Sequence, residues 1–144
     1  MKFSTKTRYG IRAMIEIAMH SPEKGIYQKD IAINQEISLK YLDHIIHSLK
    51  AARLIINVHG KKSGYILARD PSEITVYDIH KAFESGICVV ECMVESIVCK
   101  RDSICLTKGF WKDLNGLVEN YFMSVTLGNL IKDQIEHDIL INVN

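Results

Sequence analysis

Two short amphipathic stretches, a tight connection and a glycine-bounded hairpin follow one another within residues 28–68. Few folds accommodate that order. Residues 28–34 predict a short helix with Ile31 and Ala32 inward, and Asn34-Gln35-Glu36-Ile37 is a tight connection. Ser38 is a capping residue for a third helix over 39–53, in which Leu39, Leu42, Ile46, Leu49 and Ala52 recur at spacings of three and four and face the core. Two short helices joined by about four residues make the helix-turn-helix pattern. Residues 54–59 are rich in β-branched side chains, Gly60-Lys61-Lys62-Ser63-Gly64 is a turn, and Tyr65-Ile66-Leu67-Ala68 is a second strand. A basic hairpin directly after a helix-turn-helix predicts the wing of a winged-helix domain.

The outer face of the third helix carries Lys40, Tyr41, Asp43, His44, His47 and Lys50. A recognition helix must present such hydrogen-bonding groups to base edges in the major groove. A solvated polar face looks the same, and this helix alone does not separate the two. The following wing, with Lys61 and Lys62 at its tip, tips the balance toward a duplex, because its tip can neutralise phosphates. Charge agrees. Residues 1–65 hold 11 Lys and Arg against 5 Asp and Glu, and residues 66–144 hold 7 against 12. A basic first half suggests a polyanion partner for that half.

On either side, the pattern reads as follows. Ser4 and Thr5 are N-capping residues for a first helix, with Ile11, Met14, Ile15, Ala18 and Met19 on one face. Ile26 and Tyr27 suit a very short strand. After the Asp70-Pro71 break, Thr75 starts a helix to about Phe83, with Val76, Ile79 and Phe83 inward. Residues 110–123 are helical and carry a broad apolar stripe of Phe110, Trp111, Leu114, Leu117, Val118, Tyr121 and Phe122. A stripe that size with few partners in its own chain suggests association, so Trp111, Leu114, Leu117, Val118, Tyr121 and Phe122 are expected at a dimer interface. Ser124 and Thr126 cap a short last helix with Leu127, Leu130, Ile131 and Ile135, and 138–144 alternate like an edge strand. The expected fold class is mainly α with a small β-hairpin wing: a winged helix-turn-helix domain plus a C-terminal dimerisation helix. The expected divisions are 1–84 for DNA binding, 85–108 for a cysteine-rich sensor loop, and 109–144 for the dimerisation helix and the C-terminal helix and tail. No apolar run approaches the ~20 residues that span a bilayer, and the basic, polar N-terminus is not a signal peptide. A cytoplasmic protein with no membrane partner is expected.

All four cysteines, Cys88, Cys92, Cys99 and Cys105, fall between the two halves. In a cytoplasmic protein they are metal ligands, redox thiols or small core residues before they are structural disulfides. Cys88, inside Ile87-Cys88-Val89-Val90, reads best as a core residue. Cys92, Cys99 and Cys105 sit among Glu91, Glu95, Lys100, Arg101, Asp102 and Ser103, a poor setting for buried hydrophobes. Their spacing lets a loop fold back and bring three thiolates to one centre. Thiolates suit iron–sulfur clusters, zinc and copper(I), but the paired Cys-x-x-Cys knuckles of many zinc sites are absent. Lys100 and Arg101 would favour thiolate and offset an anionic cluster.

The opening Met-Lys-Phe-Ser-Thr-Lys-Thr-Arg-Tyr-Gly-Ile-Arg-Ala-Met, the segment Ile37-Ser38-Leu39-Lys40-Tyr41-Leu42, the wing from Val58 to Tyr65 and the three cysteines resemble the IscR/NsrR/CymR family of bacterial winged-helix regulators, the Rrf-two family. Cys105-Leu106-Thr107, Trp111 and Thr126-Leu127 also fit, so the resemblance covers about residues 1–135. It implies a homodimer on a pseudo-palindromic double-stranded operator. It implies Thr5, Tyr9, Gln28, Ser38, Lys40, Tyr41, Asp43, His44, His59, Lys61 and Lys62 at or near DNA. It implies an iron–sulfur cluster, two-iron or four-iron, held by Cys92, Cys99 and Cys105. The chain departs from the family's two fourth-ligand positions, which hold Lys108 and Arg8 here; Cys88 and Glu91 are the nearby candidates. The expected function is transcription regulation controlled by that cluster. The alternatives are a metal-free thiol and disulfide switch on the same fold, and a winged-helix adaptor for other proteins. An enzyme is not expected, because the six histidines are scattered and none has a catalytic context.

Overall fold

The computed structural model describes residues 2–20, 22–60 and 63–143. Lys61 and Lys62 therefore lie outside the described residues. Six α-helices and one hairpin follow in order: α1 Thr5–Ala18, α2 Gln28–Gln35, α3 Leu39–Ala51, β1 Ile55–Asn57, β2 Tyr65–Leu67, α4 Val76–Lys81, α5 Lys108–Ser124 and α6 Leu127–Val143. The mainly helical winged fold is as expected.

The helix starts follow capping chemistry. Ser4 Oγ accepts from the Thr7 amide at 3.2 Å, and Ser38 Oγ accepts from the Tyr41 amide at 3.2 Å. Thr75 and Asp78 form a reciprocal capping box at the start of α4. One core joins α1, α2, α3 and the hairpin. Met14, Ile31, Leu42, Ile45 and Leu49 are completely buried in it, each worth about 1.5–3 kcal/mol of transfer free energy. The wing pairs antiparallel, Ile55 with Leu67 and Asn57 with Tyr65. Ile26 forms an isolated bridge to Tyr65, so the expected short strand is one bridge long. At Gly25, φ is +64° and a Cβ would meet the Tyr65 carbonyl oxygen at 2.8 Å, which leaves room for glycine alone where the α1–α2 turn crosses the wing. At Gly10, a Cβ would come within 2.3 Å of the Phe83 ring, and that bare face lets the segment after α4 lie against α1.

Four expectations need correction. Leu39 is 54 % exposed and Ala52 is also exposed. Both sit at the margins of the α3 stripe near a helix end, where neighbouring elements no longer reach, and Ile45 fills the core instead. Cys88 is exposed, not a core residue, because Ile87 and Val89 on either side take the buried positions of an extended segment. The last helix is not short, and 138–143 is not an edge strand: α6 runs unbroken to Val143. No glycine or proline follows Gly128 within it, and Gln134 donates to Asp138 one turn on, at 2.8 Å. The start of α6 is tied to the start of α4: the Leu127 amide donates to the Ile74 carbonyl at 2.7 Å, and Val76 donates to Val125 at 2.9 Å.

Candidate nucleic-acid interface and cysteine loop

On α3, the buried positions 42, 45, 46 and 49 leave Lys40, Asp43, His44 and His47 on the exposed side. Ser38 is spent as the cap. Tyr41 is half-buried and meets the edge of Tyr9 with ring centres 5.7 Å apart. Arg12 lies 5.0 Å above the Tyr9 ring, and its guanidinium donates to the Gln35 side chain at 3.1 Å and to the Gln35 carbonyl. Gln28 donates to Asp43 at 3.3 Å and accepts from the Tyr65 hydroxyl at 3.5 Å. Burial raises the Tyr65 phenol above its ordinary value. Gln28, Asp43 and Tyr65 thus tie α2, α3 and the wing into one polar surface. At the wing, the Ser63 hydroxyl accepts from the His59 amide at 2.7 Å and donates to the Gly60 carbonyl at 2.8 Å. His59 is exposed. Sequence reasoning missed Arg12 and Tyr65: no local pattern reveals an arginine that bridges from α1 to α2, or a strand tyrosine that reaches a helix.

Thr5 is placed differently. It lines a cavity of about 410 Å³ together with Ser4, Glu84, Gly86 and Cys88, at the base of the cysteine loop. The first turn of α1 therefore faces the loop, while the last turns of α1 meet α2.

From Ile87 onward the chain makes one short 3-10 turn, Glu91–Met93, and then bends and turns as far as α5. All four thiols are free. Cys88, Glu91 and Cys92 line one open cavity with Val89, Val90 and Val94. Cys99 and Cys105 group around a cation. The Lys108 ammonium is held above its ordinary value by its bond to Asp102, at 2.7 Å, with smaller help from Cys105 and Cys99. The Cys105 thiol is held below its ordinary value by the Thr107 hydroxyl, 3.5 Å away, and by the Lys108 amide and Arg101 charge. Arg8 sits on α1, donating to Thr5 at 3.2 Å. The donor set suits an iron–sulfur cluster in chemistry: soft thiols with cations beside them. The loop as folded does not gather it. Among the described residues, no three His, Cys, Asp or Glu side chains converge to hold a metal ion. Ile97, Val98, Ile104 and Leu106 are all exposed along the same stretch.

On α5 no residue is buried. One side of the helix nevertheless packs within its own chain. Glu119 accepts from the Tyr77 hydroxyl at 2.7 Å, Asn115 accepts from the Val89 amide at 2.9 Å, and Phe122 stacks on Phe3 with ring centres 5.0 Å apart. The other side is open: Phe110, Leu117 and Tyr121 are each more than 60 % exposed. Trp111, Leu114 and Val118 are half-buried.

Comparisons with known proteins agree with this geometry. The family described as "Rrf2: Iron-dependent Transcriptional regulator" matches residues 3–133. The protein named rrf2 of Nitratidesulfovibrio vulgaris is 38 % identical over 133 residues, covering 92 % of this chain and 89 % of that one. The solved structure of T. potens IscR superposes with a TM-score of 0.74 at 34 % identity, covering 93 % of this chain and 88 % of that one. The structure of CymR, the global cysteine regulator of B. subtilis, gives 0.73 at 32 % identity, covering 92 % and 97 %. No helix among the described residues is long and apolar enough to cross a membrane. The matched span takes in the winged helices, the cysteine loop and α5 together, and the chain belongs to the Rrf2 family of DNA-binding transcriptional regulators.

Proposed function

We propose that this protein works in the cytoplasm as a homodimer on a pseudo-palindromic operator, and that an iron–sulfur cluster on the loop of Cys92, Cys99 and Cys105 controls its binding. One observation carries the reading. Residues 82–107 are the longest stretch without α-helix or β-strand among the described residues, and they join the winged helices directly to α5. Two copies of α3 would enter successive major grooves, presenting Lys40, Tyr41, Asp43 and His44, with Ser38 at the helix start and Tyr9 and Gln28 behind it. Thr5, His59, Lys61 and Lys62 would lie toward the flanking backbone. The open side of α5, with Trp111, Leu114, Leu117, Val118 and Tyr121, would meet its mate, while Phe122 holds α5 to its own chain. Residues 1–84, 85–108 and 109–144 act as reader, sensor and coupler.

Cys92, Cys99 and Cys105 would hold the cluster, with Cys88 or Glu91 as the fourth ligand, since both share a cavity with Cys92. When bound, the cluster supplies a redox- and iron-responsive centre of two or four irons. The loop must close to gather its thiols, so ligation and loop folding are one event. Closing draws on the start of α5 and shifts the spacing of the two α3 helices. DNA requires half-site centres about 34–36 Å apart, so a small shift changes affinity. The test is operator binding by anaerobically purified protein with and without cluster, with iron and sulfide counted. Equal affinity and equal site preference in the two states would sink the reading.

A second reading has its own support. The four thiols are free, and Cys105 is drawn toward thiolate. Two loop cysteines would then give up two electrons and two protons to a peroxide, which leaves as water or as alcohol with water, and the reversible disulfide formed would order the loop without metal. Ultraviolet–visible absorption separates the two, because only a cluster gives broad bands above about 300 nm.

A further inference from the structure

His80 is 3 % exposed and Thr7 is 1 % exposed, and they are the only buried polar residues among those described. Neither has a part in DNA contact or in holding a cluster. They touch each other across 73 residues of sequence: Thr7 Oγ1 and His80 Nδ1 are 3.1 Å apart. On the other side of the ring, His80 Nε2 is 2.9 Å from the carbonyl oxygen of Gly86. A carbonyl only accepts, so Nε2–H donates to Gly86. In the neutral imidazole, Nδ1 then accepts from the Thr7 hydroxyl, and the whole ring is satisfied. Phe3 and Phe122 present their faces and edges to it at 5.8 and 5.6 Å, both at 84°.

The four groups around this ring come from four places that a switch has to connect. Gly86 lies at the base of the cysteine loop, five residues after the end of α4. Thr7 lies in the first turn of α1, and Phe3 lies just before it. Phe122 belongs to α5. A leucine or isoleucine would fill the space as well, but would leave the Gly86 carbonyl without its donor and the Thr7 hydroxyl with Ser4 Oγ alone, at 3.3 Å. A fully bonded polar ring in an otherwise apolar core has one well-defined donor and one well-defined acceptor, so it holds its neighbours at one mutual distance.

We propose that His80 is a positioning residue that passes the location of the loop base at Gly86 to the first turn of α1 and to α5. The proposal rests on the reading of the loop as sensor only for its biological use. The coupling itself is a property of the fold. When Gly86 moves as the loop closes, the ring follows, and the Thr7 bond moves the turn that carries Thr5 and precedes Tyr9.

Amide hydrogen exchange on the full-length protein tests the coupling without any cluster. Thr7→Val removes the hydroxyl and touches nothing in the loop. It is expected to speed exchange in the segment 84–90 by about fivefold, the scale of one lost hydrogen bond, while α3 exchanges as before. Thr7→Ser keeps the hydroxyl and restores the wild-type rate. His80→Gln, which keeps an N–H donor for Gly86 and lacks the second ring nitrogen that faces Thr7, is expected to speed exchange in residues 5–9. If Thr7→Val changes exchange only around α1, His80 merely fills the core and the proposal is wrong. Operator binding then separates this inference from the sensor reading. In the wild type, the affinity ratio between cluster-loaded and cluster-free protein is expected in the range of about 5- to 150-fold, and Thr7→Val should reduce it below twofold or so. A wild-type ratio of one with coupled exchange would refute the sensor reading alone. A large ratio that Thr7→Val leaves intact would refute the relay alone.

Discussion

Residues 2–84 and 85–143 are held together by different means. Among the described residues, the first part contains sixteen of the nineteen buried hydrophobic side chains, and the second contains Ile87, Val89 and Leu127. In residues 2–84, apolar side chains at helical spacing close on one core. The loop and α5 have exposed apolar groups without a core of their own, and their order has to come from elsewhere: a mate, a bound group, or bonds to the reader. A regulator needs this asymmetry. The part that reads DNA must keep its shape, and the part that senses must be cheap to rearrange.

The sharpest way to break the comparison is a matched pair of truncations. Leu42→Ala, at a fully buried site, is expected to cost about 2–5 kcal/mol in chemical denaturation. Leu106→Ser, at a fully exposed site in the loop, should stay within about 0.5 kcal/mol of wild type. Similar costs would mean that the loop has a core after all. Next in size is the coupler. Leu117→Glu on the open side of α5 should weaken self-association at least about tenfold in analytical ultracentrifugation, with the helical signal unchanged. A smaller effect belongs to the α3 cap: Ser38→Ala loses the bond to the Tyr41 amide and should lower stability by about 1 kcal/mol. Lys62→Ala should lower duplex affinity for all sequences alike and reduce the slope of log affinity against log salt by about one, whereas an unchanged slope would remove Lys62 from the phosphate contacts. The smallest concerns the joint between the parts. The Glu119 carboxylate, bonded to Tyr77, holds that phenol above its ordinary value. A folded pKa raised above the unfolded one gives stability that is present below the unfolded value and fades as pH rises through the folded one. Glu119→Ala should therefore move the Tyr77 ultraviolet titration to lower pH, and no movement would show that the α4–α5 contact is absent in solution.

Much of the reader was legible because its signals are local. Ser4, Ser38 and Thr75 mark helix starts by cap chemistry, and Leu42, Ile46 and Leu49 mark a face by period. The same reasoning failed where burial depends on distant neighbours. Leu39 and Ala52 fit the period but lie beyond the reach of covering elements. The apolar neighbours of Cys88 suggest a core position, and the two-residue alternation of an extended segment puts those neighbours inside and the thiol outside. The tail from Asp138 alternates like a strand, but α6 continues through it to Val143.

Residues a few positions apart were enough to place the helices and hairpin of residues 4–83, the polar face of α3, the basic wing and the concentration of thiols in one loop. Only the tertiary structure decided which side of α5 is open, that Cys88 and Glu91 share a cavity with Cys92, and that the first turn of α1 faces the loop. It alone revealed the His80 bonds to Thr7 and Gly86. Those are contacts between segments far apart in the chain, and they exist because burying a core brings its polar residues to whatever partners the packing leaves within reach.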